Sequence, residues 1–234
     1  MKRADQVVIA VAIVLPTLVT WLYFEAFADR PLLAKLAFGL GKTIQFGLPL
    51  AWVLLVQRQP LALKWPQADG VLLGLAFGLA VGALMLGLYY FVLGPRGFFT
   101  GPADEVRQKI AEFGIKTVAG FAVMGLFYSL IHSLLEEYYW RWFVFGQIRR
   151  QMPLWPAIAI SSVGFTLHHI LVLARYFGWA SLATWLFVAG IAIGGAAWAW
   201  LFERSKSLYG PWISHLMVDA AIFWIGFELW RGAV

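Results

Sequence analysis

Apolar residues run along this chain in seven long blocks, and short polar stretches between them hold most of the charges. The blocks cover roughly 7–27, 36–56, 71–93, 117–148, 153–173, 181–202 and 212–230. About 20 apolar residues suffice for a helix to cross the hydrocarbon core, and a helix satisfies its own backbone there. The pattern therefore predicts an all-α, polytopic transmembrane bundle of about seven spans, with eight possible.

Details inside the blocks add to this. Pro16 is placed to kink the first span. The second is weaker, because Lys42 and Gln45 interrupt it. In the third, Gly74, Gly78 and Gly82 recur every four residues, a ridge of small residues that another helix can approach closely. Gly190 and Gly194 repeat that spacing in the sixth. The longest polar stretch, 94–116, contains Pro102-Ala103-Asp104-Glu105, a helix start with acids in its first turn. Val106, Ile110 and Phe113 follow at helical spacing. They predict a short amphipathic helix near 102–113, lying on the membrane surface or standing as a solvated loop helix.

Composition agrees with the pattern. The chain is 62% hydrophobic and 13% charged, with a mean hydropathy of +0.76. Soluble domains carry about 25% charged residues, so residues 1–234 read as one membrane-embedded domain. Cysteine is absent, which excludes disulfides, a thiol nucleophile and a cysteine metal site. The net charge of +6 does not point to nucleic acid. Its basic residues sit mainly at the ends of apolar blocks, where they orient a protein in an anionic membrane. Met1-Lys2-Arg3 precedes a block too long for a signal-peptide core and without a small-residue cleavage site, so it is read as the first span. An N-terminus inside then places Arg58, Lys64, Arg149, Arg150, Arg204 and Lys206 on the cytoplasmic side of a multi-pass protein.

The candidate chemistry lies in the fourth block. Ser133-Leu134-Leu135-Glu136-Glu137-Tyr138-Tyr139-Trp140-Arg141 puts two carboxylates and a guanidinium at membrane depth. An ionisable group there costs from about 2.5 to over 10 kcal/mol and marks a functional site by default. Glu137 and Arg141 are four apart and share a helical face, where they can pair. Glu136 lies about 100° around the helix and is available for other work. All four histidines, His132, His168, His169 and His215, also fall inside predicted spans. Each alone is more often a satisfied core residue, but together with Glu136, Glu137 and Asp219 they exceed what packing needs. His215 and Asp219 share a face, as do Phe165 and His169. His132 is one turn before Glu136, where a structural role is expected.

Glu136-Glu137-x-x-x-Arg141, Phe165-x-x-x-His169 and His215-x-x-x-Asp219, in that order, resemble the three motifs of the CAAX protease and bacteriocin-processing family. These are intramembrane glutamic proteases related to the CAAX prenyl protease 2. The lead-in Ser207-Leu208-Tyr209-Gly210-Pro211-Trp212-Ile213-Ser214 is also similar to the family's third motif. The motif-bearing core spans about 117–230. Two positions depart from the pattern: Trp142 stands where glycine often follows the arginine, and Asp219 stands where asparagine is common.

The resemblance implies an endopeptidase that hydrolyses a peptide bond in a membrane-associated or prenylated-type protein. Glu136 and His169 would hold and deprotonate the water, and His215 and Asp219 would face the oxyanion. Glu137 and Arg141 would be a structural pair, with Phe165, His132 and His168 in support. Asp219 would donate a hydrogen bond as a protonated acid, or stay ionised and hold His215. No cofactor is implied. The residue types alone leave other readings open. Glu, two His and Asp are also plausible zinc ligands with an open position for water. Intramembrane Glu, His and Arg also serve proton-coupled transporters, although no internal repeat is visible here. A non-catalytic immunity protein could keep the same residues.

Overall fold

The computed structural model describes residues 3–61 and 64–232, and these form helices and turns without a strand. Seven helices are long and apolar enough to cross a membrane: α1 Arg3–Ala26, α2 Pro31–Val56, α3 Ala68–Arg96, α5 Val118–Arg149, α6 Leu154–Phe177, α7 Leu182–Ser205 and α8 Tyr209–Arg231. The short α4 is Thr100–Glu112. This is the expected seven-span, all-α architecture of a multi-pass integral membrane protein.

Most helices overshoot their apolar blocks, for local reasons. Pro31 sits in the first turn of α2, where its missing N–H is not needed. Thr117 caps α5 by accepting from the Gly120 N–H at 3.1 Å, and Ser181 caps α7 by accepting from Ala183 N–H at 3.2 Å. Outward faces carry bulky apolar side chains such as Leu55 (74% exposed) and Leu186 (60%). Such a surface would be an aggregation patch in water and is what lipid requires.

The chain divides into two compact units, Met1–Trp65 with Glu136–Leu208, and Pro66–Leu135 with Tyr209–Val234. In the first, α1, α2, α6 and α7 pack with residues 136–149 of α5. Pro16 has no N–H to give the Ala12 carbonyl, and the Tyr139 hydroxyl donates to that carbonyl instead, at 2.7 Å. Charges gather at one end of this unit. Gln57 Nε2 donates to Asp5 at 3.1 Å and Arg150 Nη2 to Gln59 at 3.2 Å, while Arg149 and Lys206 both pair with Glu203. An open cavity of about 740 Å³ lies there, lined among others by Asp5, Trp52, Gln147 and Arg150.

The second unit is built on α3 against α8. A Cβ on Gly74 would run into the Gly210 carbonyl, and one on Gly78 would come within 2.9 Å of Ser214 Cα. The expected glycine ridge is thus a helix contact. The matching expectation for α7 fails: a Cβ on Gly190 meets open space and one on Gly194 meets only Trp198 of its own helix. The close approach falls on Gly195, 3.0 Å from Ser162 Oγ and 3.2 Å from Phe165. Residue 195 is not four from 190, so the spacing selected the wrong face. In α4, Ala103 and Ile110 are buried, and Arg107 Nε donates to the Leu229 carbonyl of α8 at 3.1 Å. Phe113 closes this helix 53% exposed, away from the buried stripe it was expected to extend.

Candidate active site

The two glutamates of the first motif sit on one regular turn of α5, Ser133–Glu137, between two stretches of wider π-type turns, Phe127–His132 and Tyr138–Phe145, the second of which carries Arg141. Wide turns of this kind shift helical register and recur at functional sites. Glu136 is 3% exposed, and Glu137 and Arg141 are fully buried. Arg141 Nε lies 3.1 Å from Glu137 Oε2, so the expected pair forms. Its guanidinium is held between two rings, Phe165 at 4.7 Å and Trp198 at 5.3 Å. Burial strengthens both the ion pair and the cation–π contacts. Phe165 thus joins the two motifs physically, because it also packs on His169 with ring centroids 4.7 Å apart.

Consecutive histidines on α6 complete a three-residue cluster. His168 Nε2 is 3.5 Å from Glu136 Oε1, and the His168 ring stacks on Trp140, 4° from parallel. Gly164 makes room for this, since a Cβ there would press on Trp140 at 3.0 Å and on Ile13 of α1 at 3.1 Å. His169 Nδ1 is 2.9 Å from the Phe165 carbonyl. A carbonyl only accepts, so Nδ1–H donates, and Nε2 is the nitrogen that carries the lone pair. One ligand atom each from Glu136, His168 and His169 lie within 4.8 Å of one another. That set can hold a polarised water or a cation.

The third motif stands on α8 in the second unit. His215 is buried, and its Nε2 lies 3.6 Å from Asp219 Oδ1, within ion-pair range but too long for a hydrogen bond. Ser214, also buried, packs beside Gly78 of α3. His132 stacks edge-on with Tyr128 at 5.1 Å, and Tyr128 stacks in turn on Phe223, an aromatic packing role. Trp142 lies against Tyr138 at 5.3 Å on a half-buried flank, so a large residue fits where glycine is common.

Trp198 was missed by the sequence reading, since one tryptophan among 13 carries no signal of its own. The weight of His168 was underread: adjacent helical residues diverge by about 100°, yet both histidines reach the cluster.

Fold and site together define a class, a multi-pass helical membrane protein with a buried carboxylate–imidazole centre on neighbouring helices. Residues 118–221 are similar to the family described as Rce1-like, type II CAAX prenyl endopeptidase, in agreement with the resemblance that the three motifs carry. The matched range holds Glu136, Glu137, Arg141, Phe165, His168, His169, His215 and Asp219. No curated protein and no solved structure matches the chain.

Proposed function

We propose that residues 1–234 act as one intramembrane glutamic protease domain, which hydrolyses a peptide bond in a membrane-associated or prenylated-type protein. The observation that carries the reading is the buried cluster of Glu136 with His168 and His169. Cysteine is absent and no serine stands in a nucleophile-elbow context, so an activated water is the economical nucleophile. Glu136 takes a proton from a water that His169 Nε2 helps to hold, and the resulting hydroxide adds to the carbonyl carbon. Negative charge moves to the carbonyl oxygen, which His215 and Asp219 stabilise. As the C–N bond breaks, Glu136 returns its proton to the leaving amine. Glu137 and Arg141 stay paired and hold the helix in register.

Zinc is the second reading, and the same cluster favours it. Glu136, His168 and His169 would hold the ion, which would supply a water of lowered pKa. Ligand atoms on a tetrahedral zinc are roughly 3.4 Å apart, so the observed spread would have to tighten.

The test is turnover of a membrane-bound peptide substrate by purified protein in lipid. Glu136→Gln should abolish turnover while the chain stays folded, and wild-type activity should survive thorough chelation. Activity lost to chelation and restored by zinc hands the site to the metal reading. A fully active Glu136→Gln variant removes Glu136 as the base, whereas no turnover by the wild type removes the protease reading and leaves transport or immunity.

A further inference from the structure

The mechanism above uses the middle of α5, whereas the open cavity of about 740 Å³ lies at the end of that helix and has no part in it. All of its lining residues belong to the first unit. Its volume falls in the range of small-molecule sites, about 300–1,000 Å³. Three membrane-spanning helices contribute to it: the start of α1, the end of α2 and the end of α5. Lipid-facing side chains begin directly beside it, since Val7 of α1 and Leu55 and Val56 of α2 are exposed. The cavity therefore sits where the hydrocarbon gives way to the polar membrane surface.

Its polar lining carries both signs of charge. Gln57 ties three helices together: its Nε2 donates to Asp5 Oδ1 at 3.1 Å and to Gln147 Oε1 at 3.0 Å, and its Oε1 accepts from Gln147 Nε2 at 3.1 Å. Gln147 is buried, so this reciprocal amide pair is a fixed part of the wall. Arg150 Nη2 donates to Gln59 Oε1 at 3.2 Å. Asp5 and Arg150 thus each have a neutral amide as partner, and among the described residues neither has an opposite charge beside it. One cavity offers a carboxylate and a guanidinium that the protein does not neutralise, which suits a ligand carrying both charges itself.

We propose that this cavity binds the headgroup of a zwitterionic phospholipid with a primary ammonium, of the phosphatidylethanolamine type. Arg150 takes the phosphate, for which a guanidinium fork is well shaped. Asp5 accepts from the ammonium, and the acyl chains follow the apolar sides of α1 and α2. A choline headgroup keeps the charge but has no N–H to donate to Asp5. A glycerol headgroup sets a phosphate near Asp5 with no cation to offset the repulsion. Soluble phosphoethanolamine carries the same polar groups, but the exposed Leu55 and Val56 beside the cavity favour the lipid.

The experiment measures the melting temperature of the full chain in detergent, so it needs no substrate and is independent of the protease reading. Phosphatidylethanolamine, phosphatidylcholine, phosphatidylglycerol or soluble phosphoethanolamine is added in turn. A ligand that binds only the folded state raises the melting temperature with its concentration. Phosphatidylethanolamine should raise that of the wild type by several degrees, phosphatidylcholine less and phosphatidylglycerol least. Asp5→Asn keeps an acceptor for Gln57 and should reduce the ethanolamine response to the choline level. Arg150→Gln should lose both responses, while Arg204→Gln, outside the cavity lining, should respond as wild type. Equal shifts from the three lipids, or a wild-type ethanolamine response in both Asp5→Asn and Arg150→Gln, overturns the proposal. Soluble phosphoethanolamine as effective as the lipid at equal concentration overturns the membrane source and leaves a site for free phosphate esters. Should a variant fail to fold, the ranking of the lipids on the wild type alone decides.

Discussion

Arg141 has no exposed surface, one carboxylate partner and two aromatic faces. A buried pair of this kind is worth little against an apolar replacement of both members, yet removing one member costs roughly 3–5 kcal/mol. Glu137→Gln should therefore lower the melting temperature strongly. Glu136→Gln should lower it less, because Arg141 keeps Glu137 as its partner. Melting curves of the two variants in one lipid, read beside turnover, check this; equal melting temperatures with equal residual activities would contradict the division of labour. The pairing of Glu137 with Arg141 was legible, because four-residue spacing on a helix is a local rule. Trp198 was not, because what stacks on Arg141 comes from a distant element.

Glycine spacing shows where local rules stop. A run of small residues makes a helix face approachable, but in lipid no hydrophobic force decides whether a neighbour comes. On α3 the neighbour is present and Gly78 is in backbone contact with α8. On α7 the spaced pair 190/194 stays open, and Gly195 carries the contact. Gly78→Ala should therefore force α3 from α8 and lower the melting temperature by several degrees. Gly190→Ala should leave it unchanged or raise it, since alanine favours a helix by up to about 1 kcal/mol. Thermal melts of both, with Gly195→Ala as the counterpart in the other unit, distinguish these faces. Tyr139 teaches the same limit: Pro16 marked a helix irregularity, but the hydroxyl that repairs it comes from a residue far along the chain.

Across the whole molecule, hydrophobic length was the most readable quantity, because crossing a hydrocarbon core sets a minimum that any sequence must meet. Helix ends were less so: Pro31, Thr117 and Ser181 set the starts of α2, α5 and α7 by local stereochemistry and capping. Orientation depends on charge instead, and that gives the last prediction. Within the first unit, Asp5, Gln57, Gln59, Arg149, Arg150, Glu203 and Lys206 meet at one end, so these helix ends face one side of the membrane. An excess of Lys and Arg favours the cytoplasmic side, so this end should be inside, with the loop after α6 on the other face. The chain has no cysteine, so single cysteines report without background. Gln59→Cys and Gln151→Cys, in intact cells, should resist a membrane-impermeant thiol reagent until the membrane is opened. Trp179→Cys, in the exposed loop between α6 and α7, should react at once. The opposite pattern would invert the protein, and mixed labelling at Gln59 and Gln151 would break the shared end that the hydrogen bonds define.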